Sequence, residues 1–288
     1  GPWPGAQSQG LHGRNTTGEH DGGTRRGIVW RPWESAGTQG SPMTDLSWCG
    51  WAILAGSAFL IGLAKTGLPG VGILAIIGAA AVIPARLSTG LILPMLIVGD
   101  IFAVSYYHRH AVWKHLIRLI PYAVAGVIVG YLAMGRVDDA QLRRIIGGIV
   151  LALLGMNYWR NRCLPDDAAV PTAWWFPAIL GLMAGFTTMM ANAAGPIMII
   201  YLLAMRLPKQ EFIGTGAWYF LLVNCFKVPF SAQLGLITWA SLRFNLLLAP
   251  MIIVGAMAGI FVVKRIPEKA FNLIVQWLAV AGAVKLLI

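Results

Sequence analysis

Charge is what this sequence has little of. Asp, Glu, Lys and Arg make up 11% of its 288 residues, where a soluble domain carries about 25%. Apolar residues reach 57%. So little charge cannot cover the surface of a water-soluble domain, and a polytopic membrane protein is indicated. Cysteine is scarce too: Cys49, Cys163 and Cys225 are scattered, with neither metal-ligand spacing nor a pairing framework, and read as packing residues. Two tempting catalytic motifs are incomplete. Lys65-Thr66-Gly67 spells the KTG of penicillin-binding proteins, yet no S-x-x-K occurs in the chain. A phosphate-binding loop needs its lysine after the glycines, whereas here the glycines follow it. His108, His110 and His115 lie among Arg109 and Lys114 without a neighbouring carboxylate, which favours interfacial histidines over metal ligands. Neither a nucleophile–base pair nor a metal set stands at membrane depth, so no enzyme, metal or cofactor is expected.

The apolar residues gather in long stretches. Leu46–Ala64, Leu87–Tyr107, Leu116–Met134, Trp174–Met190, Phe212–Phe230, Phe244–Val263 and Phe271–Ile288 approach the ~20 residues that cross a bilayer as a helix. Ile145–Tyr158 is shorter and extends to a span through Gln141. No signal-peptide cleavage site is seen before them. Residues 1–42 are polar, without hydrophobic period, and read as a disordered tail, with Met43 as a candidate natural start. The net charge of +11 does not point to nucleic acid, because outside the tail the basic residues sit singly or in pairs beside apolar stretches, in HRHAVWKHLIR, GRVDDAQLRR, WRNR and VKRIPEK.

The chain repeats itself. Gly62 and Gly72 match Gly185 and Gly195 at an offset of 123, Asp100 matches Asn224 at 124 and Trp113 matches Trp239 at 126. Pro121, Gly126, Gly130 and Arg136 match Pro250, Gly255, Gly259 and Arg265 at 129, so P-x4-G-x3-G occurs twice. The first repeat is set at 43–163, a connecting loop at 164–171 and the second repeat at 172–288. Each has five apolar segments, the second of them short, at Val71–Ile83 and Pro196–Met205. An odd number of crossings inverts the second repeat relative to the first, the architecture of secondary transporters with discontinuous helices at the centre. Only if each long and short pair forms one broken span do the repeats run parallel. Arg109, Lys114, Arg118, Arg160, Arg162, Arg206, Lys209, Lys264, Arg265 and Lys269 then share one face, against Arg86, Arg136, Arg143, Arg144, Arg243 and Lys285 on the other. The first face is expected to be cytoplasmic.

Lys65 stands inside apolar sequence, where an ammonium at the bilayer centre costs roughly 2.5–3.5 kcal/mol on the insertion scale. It is followed by Thr66-Gly67-Leu68-Pro69-Gly70-Val71-Gly72, a helix break whose freed backbone groups are tolerated only beside protein or a water-filled cavity. A helix opening at about Pro69 turns its N-terminus, with partial positive charge, to the same place. Lys65, Thr66, Gly67, Gly70 and Gly72 therefore read as one half of an anion site. The matching break, Thr187 to Pro196, offers Thr188, Asn192 and Gly195. The alternatives are close-packing glycines in an ordinary bundle and a lysine snorkelling to an interface. Asp100 is the one acidic residue inside an apolar stretch, and Lys227 lies about one turn beyond the matching Asn224. Either Asp100 pairs with Lys65 or Lys227 to neutralise buried charge, or it exchanges a proton during transport while Lys227 and Asn224 help hold the anion.

These residues resemble a known family. The glycine-rich break, Ser88 to Gly90, Asp100 with Tyr106 and Tyr107, Trp113 and P-x4-G-x3-G, then Asn192 to Pro196, Tyr201-Leu202, Gly214-Thr215, Asn224 and Lys227-Val228-Pro229 resemble the sulfite exporter TauE/SafE family over Leu46 to Ile288. Many members carry a longer glycine run than Gly67 to Gly72. The resemblance implies a multi-pass permease of the bacterial inner membrane that moves sulfite, sulfoacetate or other small organosulfonates or carboxylates. The expectation is an all-α membrane bundle acting as a secondary anion exporter by alternating access. A passive anion channel and a non-transport membrane protein are the alternatives. Its partners are the small anion and the lipid bilayer, with a homo-oligomer compatible and nucleic acid not expected.

Overall fold

The computed structural model describes residues 47–82, 85–133 and 173–287. The tail 1–42, the apolar stretch Ile145–Tyr158, Cys163 and the connection 164–171 lie outside the described residues. Within them the regular structure is helical: α1 Trp48–Thr66, α2 Gly72–Val82, α3 Ala85–Tyr107, α4 Trp113–Ala133, α5 Trp175–Ala191, α6 Gly195–Ala204, α7 Lys209–Gln233, α8 Trp239–Arg265 and α9 Glu268–Leu287. Helices are what apolar sequence must form in lipid, because each satisfies its own backbone hydrogen bonds. α1, α4, α8 and the Gly90–His110 part of the α3 region are long and apolar enough to cross a membrane. α5 has 17 residues and is shorter, and α7 is loaded with Asn224 and Lys227. The protein is an all-α, multi-pass membrane bundle.

Its outside is apolar. Leu132, Ile117, Leu246, Leu247, Met257 and Phe261 are all exposed, as residues facing lipid must be, while Asp100 and Lys227 are buried. Trp48, Trp113, Trp175 and Trp239 each open a helix and are exposed, the position in which an amphipathic ring anchors a helix at the membrane interface. Cys49 and Cys225 correct the expectation of packing residues: both are exposed on this outer surface, where lipid accepts a thiol as readily as a core does.

The repeated glycines decide which helices touch. A side chain on Gly62 would overlap the Ile252 carbonyl and one on Gly255 the Phe59 carbonyl, so α1 lies backbone to backbone on α8. Gly185 meets the Ala123 carbonyl and Gly126 the Leu182 carbonyl in the same way, joining α5 to α4. Both contacts advance in step along the two helices: Trp51 stacks on Phe244 and Gly67 meets Gly259, while Gly181 meets Leu119 and Gly130 meets Met189. α1 and α8 are thus parallel, as are α4 and α5. α3 and α7 are antiparallel, since Gly90 packs on Leu236 and Gly214 on Tyr107. α4 runs with α7, through Trp113 on Trp218 and Tyr131 on Phe230. α3 runs with α1, through Gly99 with Ile61 and Tyr107 with Thr66. Following these contacts round, α1, α3 and α8 point one way and α4, α5 and α7 the other. Each short helix folds back on its predecessor: Gly72 meets Ala64 and Gly78 meets Ile53 on α1, and Tyr201 of α6 stacks on Phe176 of α5.

A cavity between two helix breaks

The two breaks are capped differently. α1 ends with Gly67 and Leu68 both donating to the Leu63 carbonyl, at 2.9 and 3.2 Å. The Thr66 carbonyl accepts the Tyr107 hydroxyl at 3.0 Å. Gly70, at φ 108°, takes the chain through a conformation that favours glycine, and α2 begins at Gly72 rather than at Pro69 as expected. At the second break Asn192 takes the left-handed conformation, φ 53°, and its N–H returns to the Thr188 carbonyl at 3.1 Å, an αL cap that asparagine tolerates. Pro196 then opens α6, where its missing N–H costs nothing.

Between the breaks lies a cavity of about 100 Å³, room for several waters or a small anion. Of the residues expected to bind substrate, Lys65, Gly70, Gly72, Thr188, Asn192, Gly195 and Asn224 line it. The rest of the wall is mostly apolar, with Ile76, Leu96, Ile199, Phe212 and Phe220. The N-termini of α2 and α6 both reach it, through Gly72 and Gly195.

Thr66, Gly67, Lys227 and Asp100 are not in the wall. The Thr66 hydroxyl turns to α8 and donates to the Ala256 carbonyl at 2.6 Å. Gly67 is a contact glycine, with Gly259 Cα 2.7 Å from where a Cβ would stand. Periodicity could not tell these two from cavity residues, because the position of α8 around α1 is not written in either repeat alone. Lys227 is buried behind the second break, donating to the Thr188 carbonyl at 2.7 Å, Thr188 Oγ1 at 3.2 Å and Asn192 Oδ1 at 2.6 Å.

Asp100 lies directly behind Lys65. Its Oδ1 is 2.7 Å from Lys65 Nζ, and its Oδ2 accepts Asn224 Nδ2 at 2.8 Å. Asp100 and Asn224, which match in the sequence at an offset of 124, thus meet in a direct hydrogen bond. Lys65 Nζ also stands 4.1 Å from the Phe220 ring centroid, a geometry in which the ring face adds to the attraction. The lysine is thus held inside the protein rather than snorkelling. Sequence reasoning missed Tyr107 as the partner of a freed carbonyl and Phe220 as the other side of the ammonium; a tyrosine and a phenylalanine in apolar helices give no periodic signal of such roles.

Among the described residues no group of three His, Cys, Asp or Glu is placed to hold a metal ion. The family model described as sulfite exporter TauE/SafE matches residues 54–286. The chain belongs to that family. Comparison with curated proteins and with solved structures finds no match. For a TauE/SafE protein, a membrane transport role follows from the family, and the described cavity lies among residues of the matched region.

Proposed function

We propose that this TauE/SafE protein is a secondary transporter that exports small anions, such as sulfite, sulfoacetate and other organosulfonates or carboxylates, across the bacterial inner membrane by alternating access. The observation that carries this reading is the Lys65 ammonium in the wall of a cavity where two helix N-termini converge. Fixed N–H donors and an ammonium in a largely apolar pocket favour an anion with several acceptor oxygens. Net charge argues the same way: Lys65 and Lys227 against Asp100 leave one positive charge in excess when all three are ionised, and a buried excess is relieved by a bound anion.

Inverted repeats would supply the alternating access. The opposed directions of α1 and α5, of α3 and α7, and of α4 and α8 support this, as does the Asp100–Asn224 contact between matched positions. Asp100 is the candidate proton carrier. Lys65, Gly70, Gly72, Thr188, Asn192, Gly195 and Asn224 would contact the anion, with Lys227 acting from behind.

The test is flux of radiolabelled sulfite, sulfate, sulfoacetate and acetate in proteoliposomes, with and without an imposed pH difference. Saturable flux of at least one sulfur oxyanion that responds to the pH difference is expected. Flux that ignores the gradient would make the protein a passive anion channel, and no flux of any of the four would reject anion transport.

A further inference from the structure

Two side chains separate Asp100 from the cavity. Asp100 is fully buried and outside the wall, yet its two oxygens are taken by Lys65 and Asn224, and both of these line the cavity. Whatever happens to the carboxylate is therefore reported to the cavity by them. The amide orientation at Asn224 is dictated by charge: an ionised carboxylate only accepts, so Nδ2 must face Asp100. That leaves Asn224 Oδ1, buried and without a hydrogen-bond partner. An orphaned acceptor on a residue of the cavity wall is a cost that the ionised state of Asp100 imposes.

We infer that Asn224 is a swivelling relay which makes the proton and the anion bind together: protonation of Asp100 turns the Asn224 amide over, presents Nδ2 to the anion and releases Lys65 to it. This rests on the anion-site reading above and adds the sign of the coupling and the residue that conveys it: proton and anion cross together, so export runs down the anion's own gradient and carries a proton out with it.

The proton balance is simple. A proton from bulk water bonds to Asp100 Oδ2, which becomes a hydroxyl and donates to Asn224 Oδ1. The Nδ2 hydrogens then face the cavity, and the orphan acceptor is satisfied. Lys65 keeps its own proton and exchanges a carboxylate partner for the anion. Deprotonation reverses each move, so the empty site closes on itself with Lys65 paired. The charged groups near Asp100 are Lys65 from α1 and Lys227 from α7, and Cys225 on α7 is the other titratable neighbour. None of these supplies a second carboxylate, so a single carboxyl proton is taken up per anion. A cavity in which proton and anion exclude one another would instead need the anion to displace the proton, which this geometry opposes.

The experiment is calorimetric titration of the detergent-solubilised protein with methanesulfonate, whose acid group stays ionised throughout, in two buffers of different ionisation enthalpy. Uptake of about one proton per anion is expected over the pH range in which the free Asp100 is ionised, with Kd tightening about tenfold per pH unit lowered. An infrared band of a protonated carboxyl should appear on binding and vanish in Asp100→Asn. Asp100→Asn should bind at every pH with the Kd of the wild type at low pH. Asn224→Leu should narrow the pH span of Kd by weakening the low-pH value, and Asn224→Gln should recover part of it. Binding without proton uptake, or with proton release, would overturn the inference while leaving the anion site standing, as would an unchanged pH span in Asn224→Leu. Should Asp100→Asn fail to fold, the wild-type proton count and infrared band still decide. Absence of binding by methanesulfonate, sulfite and sulfoacetate alike would overturn the anion site and the relay with it.

Discussion

The two helix breaks face one cavity and solve the same problem with opposite polarity. At an offset of 123, Lys65 corresponds to Thr188. The first break places the cation on the breaking helix and its anionic partner, Asp100, on the third helix of that half. The second places neutral acceptors on the breaking helix and the cation, Lys227, on the third. Each third helix also donates to a carbonyl at its break: Tyr107 to Thr66 in one case, and in the other Lys227 to Thr188, whose carbonyl also accepts the Asn192 N–H. One backbone plan has therefore been given two uses. In the first half the charge faces the cavity, where a ligand can compete for it; in the second it is spent on holding the break in shape.

Removing the cavity-facing charge should have the largest effect. Lys65→Met keeps the length of the side chain and strands the Asp100 carboxylate, a loss of about 3–5 kcal/mol for breaking a buried pair, with a strongly raised apparent substrate constant. Melting in detergent and anion binding measure the two consequences separately. Adding Asp100→Asn to Lys65→Met should restore melting and leave binding lost. If the double variant recovered both, Lys65 would be only a neutralising partner and the contrast between the breaks would disappear.

Lys227→Met should do less. It removes three hydrogen bonds to Thr188 and Asn192 but strands no carboxylate, so a loss of about 1.5–3 kcal/mol is expected. Melting should fall while the order of preference among competing anions is kept. A shift in that order as large as the one from Lys65→Met would show that Lys227 also acts on the ligand. The smallest effect belongs to the glycines that open the short helices. A Cβ on Gly195 meets nothing within 4 Å, and one on Gly72 makes ordinary contact with Ala64 at 3.4 Å. Gly195→Ala should leave melting within about 0.5 kcal/mol and weaken sulfoacetate more than sulfite in competition assays, because the added methyl takes room from the cavity. Equal weakening of both would mean that the methyl acts on the break and not on the space.

Much of this was legible in the sequence for physical reasons. A lysine and an acid in apolar stretches must find partners, so Lys65 and Asp100 stood out, and their ion pair was one of the outcomes that buried charge permits. The glycine and proline breaks announced themselves because little else interrupts a membrane helix. What was hidden is which face of a helix meets which neighbour. Thr66 and Gly67 share a break with Lys65 and yet turn to α8, because Gly62, Gly255 and Gly259 bring those two helices together. Nor does either half of the sequence reveal that α1 packs on α8 and α4 on α5, since those pairings are a property of both halves at once. Cys49 and Cys225 were misplaced for a simpler reason: in lipid, hydrophobicity no longer distinguishes inside from outside.

That exchange of helices sets a timetable for synthesis. The Thr66 hydroxyl bonds to a carbonyl 190 residues further along, and at about 5–20 residues per second a ribosome needs about 10–40 s to deliver it. Throughout that interval the glycine face of α1 has no α8 to lie against, whereas α4 waits only for the chain between it and α5. Until then lipid covers that face, and premature release from the ribosome should yield a fragment that inserts but cannot close.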